Sequence, residues 1–250
     1  MKKELIRLSK VISHAGICSR REAEKKIKNG EIKINGCVYK SFTINKHDLD
    51  QVSINGKVLK KQSTRLWRFY KPIGYVSSTR EQLKQKSFFR LIPKEFPRVV
   101  SVGRLDINSE GLILLTNNPT LSSFLEKPKN KIERIYEVDT VGKIFQNLEE
   151  KLRNGIIIDG IIYDKIDLKF LVKKNNRNLL EMKLTEGKNR EIRKIMKNFS
   201  LTIKKLKRIK YGPLALGSLK PGETKEITKK NIFSFFKFVN FKDENNFWQI

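Results

Sequence analysis

The sequence is short of the residues that bind metals and staple small folds. Its two cysteines, Cys18 and Cys37, form neither a C-x-x-C pair nor a disulfide framework, which fits a reducing, cytoplasmic setting. His14 and Cys18 would share a helix face at i and i+4, but two ligands do not complete a zinc site. The only other histidine, His47, stands among polar residues, so no metal is expected. Long apolar runs are missing as well. The N-terminus MKKELIRLSK has no hydrophobic signal-peptide core. The most apolar late stretch, IFSFFKFVNF over 232–241, is broken by Lys237 and falls short of the ~18 residues of a membrane span. A soluble protein without a membrane partner is expected.

Acidic residues are scarce too. Asp and Glu total 26 against 54 Lys and Arg, for a formal charge of +28. A merely Lys-rich composition would raise Lys and Glu together, whereas here the bases alone are in excess. A field of this sign concentrates polyanions, which makes nucleic acid the leading partner, and self-repulsion makes a monomer the default. At 250 residues with 38% hydrophobic content, the chain can bury one large core or two smaller ones.

From Ile6 to Gly30 the apolar spacing suits two short amphipathic helices broken at Gly16. Ser19 and Glu22 form a capping box for the second helix, leaving Arg20 and Arg21 in a first turn where cations oppose the helix dipole. An anionic ligand explains that pair better than stability does. Alternation follows, Ile32-Lys33-Ile34 and Val52-Ser53-Ile54, each ending in an Asn-Gly corner. This helix-helix-strand run, LSKVISHAGICSRREAEKKIKNGEIKING, resembles the S4-type RNA-binding domain. The resemblance implies that Arg7, Lys10, Arg20, Arg21, Lys26 and Lys33 line a face for RNA phosphates. The expected division is an S4-type domain over 1–60, a polar linker over 61–66, a catalytic domain over 67–240 and a frayed tail over 241–250.

In the larger part, Leu66-Trp67-Arg68-Phe69-Tyr70 alternates like a strand, and further strands are interspersed irregularly with helices near 119–125, before 153 and at 189–198. A basic strand closes the series at 204–211. That order predicts an α+β mixed sheet rather than regular βαβ winding. Phe233, Phe235, Phe236 and Phe238 predict a docked helix over the sheet.

The stretch VGRLDINSEGLILLTN (102–117) puts one carboxylate, Asp106, between an arginine and a continuous apolar run that reads as a buried strand, in an ordered loop. Glu110 lies four residues on. Paired carboxylates would suit glycoside hydrolysis, but no sugar-binding aromatic platform accompanies them, so Glu110 is expected to brace the loop or pair with a neighbouring base.

Together with KPIGYVSS (71–78), ERIYEV (133–138), EGKNREIRKIM (186–196) and LKRIKYGPLALGSLKPGE (206–223), this stretch resembles the pseudouridine synthases that carry an S4-type domain and modify ribosomal RNA. Within that family the small-subunit type A and large-subunit type B groups share these motifs, and the likeness is greatest to type B. The resemblance implies the synthase fold, a mainly antiparallel mixed sheet with flanking helices. It also implies isomerisation of uridine in ribosomal RNA, as free RNA, an assembly intermediate or a subunit, with no cofactor. Asp106 would be the nucleophile, a role that requires the ionised carboxylate. Burial alone would oppose ionisation, and Arg193 would favour it. Tyr136 would stack on the flipped uracil, with proton transfer by its hydroxyl a second role, and Ile192 would pack the opposite side. Arg104 could pair with Asp106 or hold the RNA backbone. Lys71 and Arg190 would contact substrate, and Arg208 would clamp a phosphate along a basic strand edge. Asn118-Pro119 departs from the Asp-Gly usual in this group. A non-catalytic ribosome assembly factor with the same fold would share the charge and the S4-type module, but it would have no use for a carboxylate in a cationic groove.

Overall fold

The structure, a computed structural model, describes residues 4–60, 62–79, 81, 85–174, 176–242 and 248–249. Its N-terminal part runs β1 (Leu5–Arg7), α1 (Leu8–His14), α2 (Arg20–Lys28), β2 (Ile32–Ile34), β3 (Cys37–Val38), β4 (Thr43–Asn45), β5 (Val52–Ile54) and β6 (Lys57–Val58). Both helices form where the apolar spacing places them. Gly16 breaks them at φ +76°, and the Ser19 hydroxyl accepts the Glu22 amide while the Glu22 carboxylate accepts the Ser19 amide. Asn35-Gly36 and Asn55-Gly56 take the positive φ angles that tight hairpins demand. Leu8, Ile12, Ala23, Ile27, Ile32 and Ile44 close a small core.

β7 (Gln62–Ser63) leads into β8 (Leu66–Lys71), β9 (Val100–Val102), β10 (Glu110–Thr116), α3 (Pro119–Glu126), β11 (Arg134–Val141) and α4 (Leu148–Arg153). A hairpin, β12 (Ile156–Ile158) and β13 (Ile161–Tyr163), precedes β14 (Asp167–Lys174), β15 (Arg177–Leu184), α5 (Glu191–Asn198) and β16 (Thr202–Tyr211). The chain closes with β17 (Leu214–Ala215), β18 (Thr224–Glu226), α6 (Lys229–Val239) and β19 (Trp248–Gln249). One nine-stranded sheet has the order β14-β15-β11-β16-β10-β8-β18, with β9 on β10 and β17 on β16. All its pairings are antiparallel except β10 with β16, so the fold is α+β with a mixed, mainly antiparallel sheet.

β10 is apolar along its length because it is buried on both faces. Leu112 and Leu114 face the core under α3 and α6, while Ile113 and Leu115 face Trp67, Phe69 and Phe88. β8 corrects the expected alternation for the same reason. It lies between β10 and β18, and five of its six residues are buried. In α6, Phe235 and Phe236 bury while Phe233 and Phe238 remain exposed. Asn118-Pro119 makes a strong helix start, with the Asn118 side chain accepting the Thr120 and Leu121 amides and proline in the first turn.

Two expectations about the connections change. The polar stretch before β8 is tied down: Asn117 accepts the Arg65 amide and donates to the Ser63 carbonyl, and Arg65 pairs with Glu226. The expected tail at 241–250 is partly docked, because Phe241 is buried against Phe124 and Phe236, and β19 pairs in parallel with β7. Residues 243–247 and 250 of that stretch lie outside the described residues.

The parallel contact of β10 with β16 sets Gly111 opposite Arg208. Gly111 has φ +104°, and a Cβ built there would meet the Arg208 carbonyl oxygen at 2.3 Å. Backbone strain and overpacking together make Gly111→Ala cost about 3 kcal/mol or more, read as a lowered midpoint in urea unfolding. A stability within experimental error of the parent protein would refute this account of the junction.

His14 gives the fold a pH dependence. It is buried at the contact between α1 and α3, sharing a hydrogen bond between Nε2 and the Thr120 hydroxyl at 3.1 Å. Burial, followed by the charges of Lys10 and Arg20, pulls its pKa from 6.5 down to about 3. The unfolded chain therefore binds this proton first, and stability falls as pH drops from 6.5 toward 3, by up to about 1.4 kcal/mol per pH unit. His14→Gln should flatten the melting temperature against pH in that window, and an unchanged slope would exclude His14 as its source.

Candidate active site

Asp106 sits in the loop 103–109 between β9 and β10, on the sheet's central strands. The motif around Lys71–Ser78 cradles that loop. The Ser77 hydroxyl donates to the Leu105 carbonyl at 2.8 Å and accepts the Leu105 amide at 3.0 Å, and the Gly74 amide donates to Ile107 at 2.9 Å. From the other side, Arg193 on α5 donates through Nη2 to the Asn108 carbonyl at 2.7 Å and the Ser109 hydroxyl at 3.1 Å. Its Nε lies 3.8 Å from Asp106 Oδ2, has no hydrogen-bond partner, and is buried. The carboxylate itself is about one-third exposed, with a side-chain accessibility of 35%. The guanidinium thus stands at ion-pair distance from the carboxylate and leaves it partly open to the cavity. Burial lowers the Arg193 pKa, and the Asp106 charge opposes that shift.

Asp106 opens into two adjoining cavities of about 100 and 620 Å³, both also lined by Arg104, Tyr136, Lys188 and Arg190. The larger lies within the ~300–1,000 Å³ usual for small-ligand sites. Tyr136, on β11, is half-buried and packs against the apolar clusters on either side of it. Arg193 and Ile192 complete the wall of the smaller cavity, and Ile192 is otherwise a core residue at 5% exposure. Arg190, exposed, takes a left-handed φ of +52° at the start of α5, and Arg104 is exposed in the loop. Thus Asp106, Tyr136, Arg193, Arg104, Arg190 and Ile192, separate in sequence, face one space.

Two expected substrate contacts are corrected. Lys71 is fully buried, with its Nζ donating to the Ser109 and Pro72 carbonyls, so it braces the loop from beneath and does not reach the cavity. Burial pulls its pKa down to about 8 against the opposing pull of Asp106 and Glu110. Arg208 is 2% exposed, donates through Nε to the Leu112 carbonyl and stacks on Tyr211, with Nη2 buried and unpaired, so it sits in the wall of the larger cavity and not along an exposed strand edge. The reason is the same for both: their strands run through the middle of the sheet. Glu110 is engaged as expected, accepting the Tyr70 hydroxyl and pairing with Lys205 at 2.9 Å.

Sequence reasoning missed Ser77 and Ser109, whose hydroxyls tie the loop, and Glu191, buried in the wall of the smaller cavity. Burial raises the Glu191 pKa, and its carboxyl accepts the Lys188 amide. Spacing around serine carries no signal of such contacts, although Glu191 directly opening a helix could have been noticed. Of the N-terminal cations, Arg7, Arg20, Arg21 and Lys33 are exposed and Lys10 is half-buried. Lys26 is half-buried, with its Nζ paired to Glu31. No group of three or more potential metal ligands occurs among the described residues.

The family profile for RNA pseudouridylate synthase matches residues 65–198, more than half of the chain, and the S4 domain profile matches residues 6–50. The chain belongs to the RNA pseudouridylate synthase family. An uncharacterised RNA pseudouridine synthase of Rickettsia typhi is 43% identical, covering 90% of this chain and 93% of the relative. Ribosomal large subunit pseudouridine synthase B of Bacillus subtilis is 33% identical, covering 90% and 93%. A crystal structure of a pseudouridylate synthase superposes with a TM-score of 0.66 at 24% identity, covering 91% of this chain and 98% of the other, and supports the same fold. As a pseudouridylate synthase, the chain isomerises uridine in RNA. No described helix is long and apolar enough to cross a membrane.

The hydrogen bonds from Arg193 to the 106–109 loop give this synthase a structural test. Arg193→Met removes the donors while keeping much of the stem, so it should lower stability by about 2 kcal/mol and speed amide exchange at Ser109. Unchanged exchange there would show that the loop holds its shape without Arg193.

Proposed function

We propose that this synthase converts a uridine of ribosomal RNA, in the large subunit, to pseudouridine with Asp106 as nucleophile. The observation that carries the reading is the convergence of Asp106, Arg193 and Tyr136 on one cavity in a chain of charge +28. The large-subunit assignment draws on the printed names of the Bacillus subtilis relative and of a Buchnera aphidicola relative, 34% identical over 95% of this chain.

The reaction breaks the bond from ribose C1′ to uracil N1 and forms a bond from C1′ to C5. N1 gains a proton and C5 loses its hydrogen to solvent, so nothing is oxidised and no cofactor is needed. An ionised carboxylate can bond to the electron-poor carbon and then depart, and Arg193 places a positive charge 3.8 Å from it. A uracil inside folded RNA must leave its stack to reach Asp106, and the half-buried ring of Tyr136 offers a replacement face. Ile192 supplies an apolar surface to the same space, while Arg104 and Arg190 carry positive charge at its mouth, suited to the flanking phosphates.

Tritium release from ribosomal RNA labelled at uridine C5, followed by mapping of the modified position, tests the whole reading. Release should map to large-subunit RNA, and Asp106→Asn should reduce it by about 10³-fold or more. The same variant should bind RNA as tightly as the parent or slightly more so, because a negative charge leaves a cationic cleft. Substantial turnover by Asp106→Asn would sink the nucleophile assignment. Tight binding by the parent protein without release, from free RNA and from both subunits, would favour the assembly-factor reading.

A further inference from the structure

A separate cavity of about 580 Å³ lies at the seam between the N-terminal part and the larger sheet. Its charged lining is wholly basic: Lys10 and Arg20 come from α1 and α2, Lys127 and Lys129 from the segment after α3, and Lys242 from the residues after α6. No carboxylate lines it. The field is strong enough to be felt by its buried neighbour His14, whose protonation Lys10 and Arg20 both oppose in addition to burial. Five cations facing one space, none of them in an ion pair among the described residues, repel one another, an arrangement more easily explained by an anionic occupant than by stability.

The groove also adjoins the active site. Residues 126–130 form a ridge whose sides alternate: Glu126 and Pro128 line the large cavity containing Asp106, while Lys127 and Lys129 line the seam. A polyanion leaving the cleft would therefore cross a single short turn to enter the groove. A small anion would need two or three of these cations. A row drawn from two parts of the chain, one short turn away from the cleft, suits a strand of phosphates.

We propose that the seam groove is a second backbone station, gripping the phosphodiester chain of the RNA that flanks the uridine in the cleft. The inference rests on the RNA substrate proposed above. It makes the two parts of the protein act together on one RNA, with Lys127 and Lys129 on the catalytic side of the grip facing Lys10 and Arg20.

The test is the salt dependence of binding to a fluorescein-labelled RNA hairpin with a uridine-rich loop, using the full chain. Neutralising Lys127, Lys129 and Lys242 together to Ala should weaken binding about tenfold or more and lower the slope of log affinity against log salt by about 2. A control with the exposed lysines Lys57, Lys169 and Lys225 changed to Ala should change both far less. Equal losses in the two triple variants would assign the effect to net charge and overturn the proposal. A second measurement needs no variant: saturating RNA should protect Lys127 and Lys129 of the unaltered protein from acetylation, and absence of protection would also overturn it. Equal protection by polyglutamate at matched charge would reassign the groove to an acidic protein partner. All these readouts report binding, so a parent protein that grips RNA here yet forms no pseudouridine would refute the isomerase reading and leave the groove standing.

Discussion

The architecture depends on one close approach, between the backbones of Gly111 and Arg208. There β10 and β16, the parallel neighbours of an otherwise antiparallel sheet, touch over two residue pairs. The contact joins the half of the sheet built on β8 and β10 to the half built on β11, β15 and β16. One half carries Asp106 in the loop that enters β10, and the other carries Tyr136 on β11 and Arg193 on α5. Only a residue without a side chain permits this spacing, so glycine at 111 is a geometric condition for the cleft.

The carboxylate is held indirectly. Ser77, Gly74, Lys71 and Arg193 bind the backbone and a hydroxyl of residues 105–109, leaving Asp106 fixed in place but partly open. Such a scaffold limits the reorganisation needed when charge moves in a reaction. The surrounding cations serve two ends at different ranges. Arg193 acts on Asp106 at contact distance, whereas the surface lysines act over the Debye length, about 8 Å at physiological salt, on an approaching polyanion.

Much of this was legible because local rules and tertiary needs agree. Ser19 and Glu22 make a capping box in both sequence and structure, the Asn-Gly pairs turn where expected, and the apolar run after Asp106 is a buried strand. Only the motifs suggested that positions 106, 136 and 193 would line one cavity, since spacing cannot show that they meet. Lys71 and Arg208 misled for a physical reason. A basic residue reads as surface charge unless its strand is known to be interior, and strand order is a long-range property that no window of sequence contains. The docking of Phe241 and the pairing of β19 with β7 were hidden similarly, because their partners lie far away along the chain.

The hydrogen bond from Arg208 to Leu112 closes a loop of 96 positions. No local segment can assemble the cleft in advance, because its two walls become neighbours only when that distant pairing forms. Topologies governed by such contacts order late and slowly, after the helices and hairpins whose partners are close at hand. In kinetic terms the cleft is a product of complete folding, and a partly folded chain would present its cations to polyanions before its two walls had met.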